Sequence, residues 1–140
     1  MEVARDQVAD FGVDRHDAEV TSVAAADDGF TVTADGDSHE ADYLILATGA
    51  NRDLAEELGC ATTEEDTVDV DVTMETSVTD AYATGAMVRA EEWQAVISAG
   101  DGAAAALNVL TKENGEHFHD FDVPADAESA MAAVRDDGDE

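Results

Sequence analysis

Few side chains in this sequence are of the kinds that carry covalent or redox chemistry. There is one cysteine, Cys60, so the chain can form neither an internal disulfide nor a CxxC redox pair. Placed after Gly59, Cys60 reads as a small apolar residue rather than a reactive thiol. His117 and His119 stand two apart, so on a strand they would share a face, with Asp120 and Asp122 nearby. No third ligand can be named for a metal there, and a solvated strand edge accounts for the pattern. Asp69-Val70-Asp71 lacks the Gly and closing Glu of a calcium loop. These residues nominate no catalytic group and no metal ligand. What remains is a chemistry of close approach. Tyr43, Leu44, Ile45 and Leu46 make a short apolar run that stops at Ala47-Thr48-Gly49-Ala50, and residues 80–85, DAYATG, end in a second small-residue bend at Gly85-Ala86. With so little side chain, both bends let another backbone or a flat ligand come near.

The elements around these bends follow from periodicity. The apolar run at residues 43–47, bounded by small residues, predicts a strand buried on both faces, as in parallel sheets. Residues 2–11 place Val3, Ala4, Val8 and Phe11 on one face of a short amphipathic helix stopped by Gly12. Residues 19–25 and 29–34 predict two strands joined through Asp28-Gly29, a strong hairpin signal, and residues 38–41 a third. This three-stranded meander leads directly into the first bend. Residues 51–59 predict a helix with Leu54, Ala55 and Leu58 inward and Gly59 as its cap. Residues 61–66 predict a surface loop, and the alternation of Val68, Val70 and Val72 with polar residues predicts an edge strand.

Residues 91–111 predict the longest helix, with Trp93, Val96, Ile97, Gly100, Ala104, Leu107 and Leu110 on one stripe. Glu91 and Glu92 suit its N-terminus and Lys112 its C-terminus. Gly100, Gly102 and Ala103 to Ala106 leave its middle nearly bare, which predicts close packing there against the sheet or a ligand. Pro124 breaks the chain. Residues 126–135 predict a weak terminal helix, and residues 136–140 an acidic, disordered end.

Composition narrows the function classes. The chain of 140 residues carries 35 Asp+Glu against 6 Lys+Arg, a formal net charge of −29, and Lys112 is its one lysine. Such a surface repels nucleic-acid phosphates and anionic membranes, which argues against both as partners. Leu, Ile, Val and Phe number 27 of 140, a fraction at which high charge often signals disorder. Their periodic placement through residues 2–123 argues for folding instead. Adaptation to high salt accounts for the bias, since carboxylates hold water and cations while lysine stems are avoided. No apolar run approaches the ~18 residues of a membrane span, and no signal-peptide core follows Met1. The expectation is a cytoplasmic protein.

Taken in order, four segments resemble the FAD domain of thioredoxin reductase-like flavoproteins, within the pyridine nucleotide-disulfide oxidoreductase group. Residues 7–12, QVADFG, are similar to the helix-plus-Gly ahead of that domain's meander. The meander ends in LILATGA, residues 44–50. Residues 79–88, TDAYATGAMV, resemble the family's "T…vyAaGDv" segment, and residues 94–105, QAVISAGDGAAA, its "QA…A…G…AA" helix. The resemblance spans roughly residues 3–115. It implies an α/β fold: a partial FAD-binding, Rossmann-like, three-layer domain with a three-stranded antiparallel meander and a long C-terminal helix. The implied organisation is an incomplete FAD-domain-like unit over residues 1–123, then a weak helix and acidic tail over 124–140. FAD is the implied cofactor. Ala47, Thr48 and Gly49 would lie against its pyrophosphate and ribityl chain, Gly85 and Ala86 at the ribityl chain, and Gln94 and Ala95 at the flavin's pyrimidine edge. A helix N-terminus suits the negative charge that a reduced flavin gathers at that edge.

The departures from the family are equally concrete. The resemblance leads one to expect a GxGxxG strand and turn upstream, an NADPH domain between the two bends and a CxxC pair within it. None of these is in the sequence, and residues 51–67 stand where the inserted domain is expected. Where the family has Gly-Asp, this chain has Gly85-Ala86. Without its expected neighbour, the strand at residues 43–47 would be an apolar open edge, which predicts completion of the sheet by a homodimer partner or a second chain. Two readings follow: a flavoprotein oxidoreductase unit completed by a partner, or a non-catalytic regulatory or assembly remnant of that family.

Overall fold

The computed structural model describes residues 2–118 and divides the chain into two compact units, residues 1–105 and 106–140. In the first unit, α1 (Glu2–Asp10) is followed by the meander: β1 (Val20–Ala26), β2 (Gly29–Ala34) and β3 (Asp37–Ala41). β1 and β2 pair antiparallel with Ala26 opposite Gly29, and β2 and β3 with Ala34 opposite Asp37. Each hairpin therefore closes through two residues. The second uses Asp35 and Gly36, both at positive φ (47° and 86°), the conformation a tight hairpin of matching twist requires. The first depends on Gly29 (φ 136°), where a Cβ would run into the Ala41 carbonyl.

The parallel pair comes next. β4 (Leu44–Leu46) lies beside β5 (Ala81–Ala83), with Leu44 opposite Ala81 and Leu46 opposite Ala83. β5 is buried along its whole length, and Tyr82 is 0% exposed. β4 departs from the expected strand buried on both faces: Leu46 is buried, but Ile45 is 41% exposed. Side chains alternate between the faces of a strand, and the face that carries Ile45 is the less covered one, while the ladder to β5 is regular. Leu44 N–H donates to the Asp80 carbonyl (3.1 Å) and the Leu46 carbonyl accepts from Thr84 N–H (3.0 Å). A parallel ladder engages alternate residues, so the peptide groups of Ile45 face away from β5. The far edge of β5 is used too: Ala83 N–H donates to the Met74 carbonyl, and Thr76 N–H to the Ala81 carbonyl.

Between these strands, α2 (Asp53–Leu58) forms as its apolar pattern predicts. Ala55 is buried, Leu54 and Leu58 pack on the core, and Gly59 caps the helix in the left-handed conformation at φ 89°. The core gathers Leu46, Ala55, Cys60, Val68, Ala83 and Met87. The edge strand expected from Val68, Val70 and Val72 is absent. Two isolated bridges replace it, Thr62 with Val68 and Val70 with Thr76. Asp71 is the cause: its Oδ1 accepts from Thr73 N–H (2.8 Å), Thr73 Oγ1 (2.6 Å) and Glu75 N–H (3.2 Å), folding a turn where the strand would continue. Val72 is left at the tip, 96% exposed.

After β5 the chain makes a 3-10 turn (Gly85–Val88) and then enters α3 (Ala95–Asn114). α3 begins four residues later than its apolar pattern suggests. Trp93 Nε1–H donates to the Arg89 carbonyl (3.0 Å), and Arg89 pairs with Glu92 (3.1 Å), which ties residues 89–93 into a non-helical approach. Glu91 and Glu92 consequently precede the helix rather than line its first turn. The buried line is also rotated from the predicted stripe, with Asp101 and Ala105 facing inward while Val96 and Gly100 are exposed. Among the described residues no other element packs closely on Gly100 or Gly102, since a Cβ on either would meet nothing within 4 Å, so the sheet is not what the small residues there accommodate. α1 also departs from its pattern: none of its residues is buried, and Val3 and Phe11 are exposed.

In the second unit the last turns of α3 end at Gly115 (φ 71°), with Lys112 in the final turn as charge placement predicts. Thr111 Oγ1 donates to the Leu107 carbonyl and accepts from Phe118 N–H. His117 lies outside any strand, so the edge expected there does not include it. His119, Asp120, Asp122 and the predicted terminal helix and acidic end lie outside the described residues.

Candidate functional site

The candidate site lies where the two parallel strands stop. Leu46 and Ala83 are opposite each other, so the bend Ala47-Thr48-Gly49 leaves β4 next to the point where Thr84-Gly85-Ala86 leaves β5. Thr84 fastens the two exits together. Both its N–H (3.0 Å) and its hydroxyl (3.3 Å) donate to the Leu46 carbonyl. The first bend is closed by Thr48 Oγ1, which donates to the Asn51 carbonyl at 2.7 Å. Gly49 sits at φ 66° with open space where a Cβ would be, and Ala47, Thr48 and Gly49 are all exposed. In open α/β sheets the crevice beyond the carboxyl ends of the strands is where ligands bind.

The second bend is more enclosed. Gly85 is buried at φ 77°, and a Cβ there would come within 3.3 Å of Ser98 Oγ in the first turns of α3. This is the close approach that the sequence placed at Gly100 and Gly102. Gln94 and Ala95 stand at the entrance to that helix, exposed, and the Gln94 carbonyl accepts from Ile97 N–H (3.1 Å) and Ser98 N–H (3.2 Å). The fold thus brings Ala47, Thr48 and Gly49 beside Gly85 and Ala86 through the strand exits. It brings Gly85 against α3 one turn beyond Gln94 and Ala95.

An ion pair that the sequence reading missed holds this second bend. Asp101, 5% exposed, accepts from Gly85 N–H (3.2 Å) and Arg89 Nε (3.4 Å) at Oδ2, and from the Arg89 guanidinium at Oδ1 (2.7 Å). Arg89 is held above the ordinary guanidinium range, chiefly by its hydrogen bond to Asp101, and stays charged. One signal was available: Asp101 stands at i+4 from Ile97 and i−4 from Ala105, an acid at core spacing in a stretch of small residues.

Behind the bends is a hollow of about 200 Å³, lined by Ala50, Arg52, Thr67, Ala86, Arg89 and Trp93 among others. Of the seven candidate residues only Ala86 lines it. A larger hollow, about 520 Å³, lies at the end of the meander among Asp27, Asp28, Glu40 and Asp42, and none of the seven reaches it. Cys60 belongs to the core beneath α2, not to the bends.

Comparison with known proteins supplies the family. Residues 1–103 match the family described as pyridine nucleotide-disulphide oxidoreductase. Among curated proteins the sequence has no match. Among solved structures it is similar to a thioredoxin reductase from Gloeobacter violaceus (TM-score 0.75, 16% identity), covering 86% of this chain and 78% of that one. It is also similar to a ferredoxin-flavin thioredoxin reductase from Clostridium acetobutylicum (TM-score 0.68, 14% identity, 82% of this chain and 78% of that one). A bacillithiol disulfide reductase from Staphylococcus aureus gives TM-score 0.64 at 15% identity, over 78% of this chain and 70% of that one. At such identities the likeness is one of fold: the α/β arrangement with a three-stranded antiparallel sheet and a C-terminal helix. The match over residues 1–103 carries the further conclusion that this chain belongs to the pyridine nucleotide-disulphide oxidoreductase family.

Proposed function

We propose that the chain is the flavin-nucleotide-binding part of a thioredoxin reductase-like oxidoreductase, with FAD as its cofactor. One observation carries the reading: two glycine bends leave adjacent parallel strands side by side, and the start of α3 stands against the second of them. In this reading Ala47, Thr48 and Gly49 lie along the pyrophosphate and ribityl chain, and Gly85 and Ala86 approach the ribityl chain. Gln94 and Ala95 meet the pyrimidine edge of the flavin at the helix entrance. FAD would supply the redox chemistry, and these residues bind and orient it. The edge of β4 away from β5, toward which the peptide groups of Ile45 point, is where a second copy or another chain adds a strand. The acidic composition fits a cytoplasm rich in potassium salt.

The test is optical. Purified in concentrated KCl, the protein should be yellow or take up FAD on titration with a shift of the flavin bands. A colourless preparation that leaves the FAD spectrum unchanged, alone and with its copurifying partner, overturns the reading. One observation favours the second reading, a non-catalytic regulatory or assembly unit. The Gly85 N–H, which a ligand would otherwise approach, is already engaged by Asp101, and Ala86 offers no carboxylate to ribityl hydroxyls. On that reading the same titration gives no binding while the fold stays intact.

A further inference from the structure

We propose that the hollow between Arg52 and Arg89 is a phosphate-binding site, taking one phosphate or pyrophosphate group at a time, with Trp93 as its aromatic wall. The chain has only five arginines and one lysine against 35 acids, yet two of those arginines line this one small cavity. In a molecule of net charge −29 an anionic ligand meets repulsion almost everywhere; here two guanidinium groups line one cavity, and because Asp101, Glu92 and Asp66 already offset them, a ligand is held only by displacing Asp66 and Glu65 from the lip. Both side chains are about two-thirds covered, at 29% and 32% exposure, which strengthens their field relative to a guanidinium in open water.

Arg89 is aimed in advance. Asp101 grips its Nε and one terminal nitrogen, and Glu92 takes the other at 3.1 Å, so its position does not have to be found when a ligand arrives. Arg52 is tethered more loosely, by one contact of 3.7 Å to Asp66, which is 85% exposed. Asp66 and Glu65 belong to the lip of the cavity and compete with an incoming anion. Their exposure means that they can turn to solvent when it enters. Trp93 is fixed at the rim by its indole N–H bond to the Arg89 carbonyl and remains exposed on its other side. The volume, about 200 Å³, lies below the ~300–1,000 Å³ of clefts that enclose whole drug-sized molecules. It fits a phosphate group or the end of a longer ligand. The site adjoins the flavin reading through Ala86 but does not depend on it, because a phosphate needs no isoalloxazine ring.

Trp93 is the only tryptophan, so its emission reports on this cavity alone. The experiment titrates inorganic pyrophosphate at fixed molar KCl, with sodium chloride added to a parallel sample at equal ionic strength. The expected result is a saturable change in Trp93 emission with pyrophosphate and none with chloride. Arg52→Gln should weaken it at least tenfold, and Asp66→Asn, which releases Arg52, should tighten it severalfold. A loss for Arg52→Gln together with a gain for Asp66→Asn, read at equal urea midpoints, separates a ligand site from a folding effect. Two more arms name the source: flavin mononucleotide binding tighter than pyrophosphate marks a nucleotide phosphate, and the reverse marks a free anion. No saturable change, an Arg52→Gln curve equal to wild type, or riboflavin binding as tightly as flavin mononucleotide overturns the proposal. Loss of FAD binding with pyrophosphate binding intact would bear on the flavin reading alone.

Discussion

Replacing Asp101 by alanine tests whether the second bend is held electrostatically. The carboxylate accepts from Gly85 N–H at 3.2 Å, Arg89 Nε at 3.4 Å and the Arg89 guanidinium at 2.7 Å. Removing one partner of a fully buried ion pair costs ~3–5 kcal/mol, because the other charge is stranded. Arg89 is stranded only in part. Its side chain is 32% exposed and keeps Glu92 at 3.1 Å, which brings its share down toward the ~0–1 kcal/mol of an exposed pair. Gly85 N–H is buried and loses its carboxylate acceptor, at ~1–3 kcal/mol. The sum is ~1–4 kcal/mol, a large part of a typical ~5–15 kcal/mol. With a urea slope of ~2 kcal/mol/M, the midpoint should fall by roughly 0.5–2 M.

The assay is urea unfolding in molar KCl, followed by far-UV circular dichroism. Asp101→Asn keeps one acceptor and should lose about half as much. Arg89→Met combined with Asp101→Leu removes both charges, so only the ~1–3 kcal/mol of the Gly85 N–H left without its acceptor should remain. If Asp101→Ala stays within about 0.5 kcal/mol of wild type, the range of an ordinary surface substitution, the bend is held by something else and the reasoning fails. Arginine titration adds a check on sign. The folded pKa of Arg89 is raised, so its contribution is complete below the unfolded value and is lost only as pH climbs through the higher folded one. The gap between wild type and Arg89→Met should therefore stay level from neutral to mildly alkaline pH and close only in strong base.

Other substitutions follow from particular positions. Gly29→Ala should destabilise by more than ~2 kcal/mol in the same urea assay, since the added methyl meets the Ala41 backbone at a φ few side chains adopt. Val68→Ala, at a site 1% exposed, should cost about 2 kcal/mol. Val72→Asp, at 96% exposure, should cost less than about 0.5 kcal/mol; a strand through these residues would make the two costs alike. Ile45→Asp should leave the urea midpoint nearly unchanged but convert any dimer to monomer by light scattering, if copies join through the open side of β4. Dialysis from molar KCl to ~10 mM should unfold the protein reversibly, as screening among its carboxylates is lost; an unchanged dichroism spectrum would refute the high-salt reading.

Where local chemistry decides the backbone, the sequence was enough. Asp35-Gly36 specifies its hairpin because both turn residues sit at positive φ and few residues supply it, while the first hairpin needs Gly29 just after its turn, where a Cβ would meet the Ala41 carbonyl. Gly59 ends α2 for a related reason. Val68 to Val72 misled because period-two alternation describes any chain that turns its valines in and out. The decisive group was a polar one, Asp71, whose side chain takes bonds a neighbouring strand would have taken. α1 is amphipathic by spacing yet has no buried residue, since a pattern names a face but not its cover. The adjacency of the two bends followed from the resemblance to an FAD domain, in which both approach one ribityl chain, and the pairing of β4 with β5 is what produces it in the fold.

The Arg89–Asp101 pair shows what a stripe argument cannot reach. Ranking residues by hydropathy puts Val96 inside and Asp101 outside, whereas the fold does the reverse. An acid can occupy a core position only if a cation and a backbone donor reach it, and here both come from the bend twelve to sixteen residues earlier. The 3-10 turn Gly85–Val88 makes this possible, since it swings Arg89 back toward α3 while presenting the Gly85 N–H to the same carboxylate. The late start of α3 follows from the same anchor: with Arg89 fixed, its carbonyl takes the Trp93 indole and its guanidinium takes Glu92. One buried carboxylate thereby sets the bend, the helix start and the arginine that faces the phosphate-sized hollow.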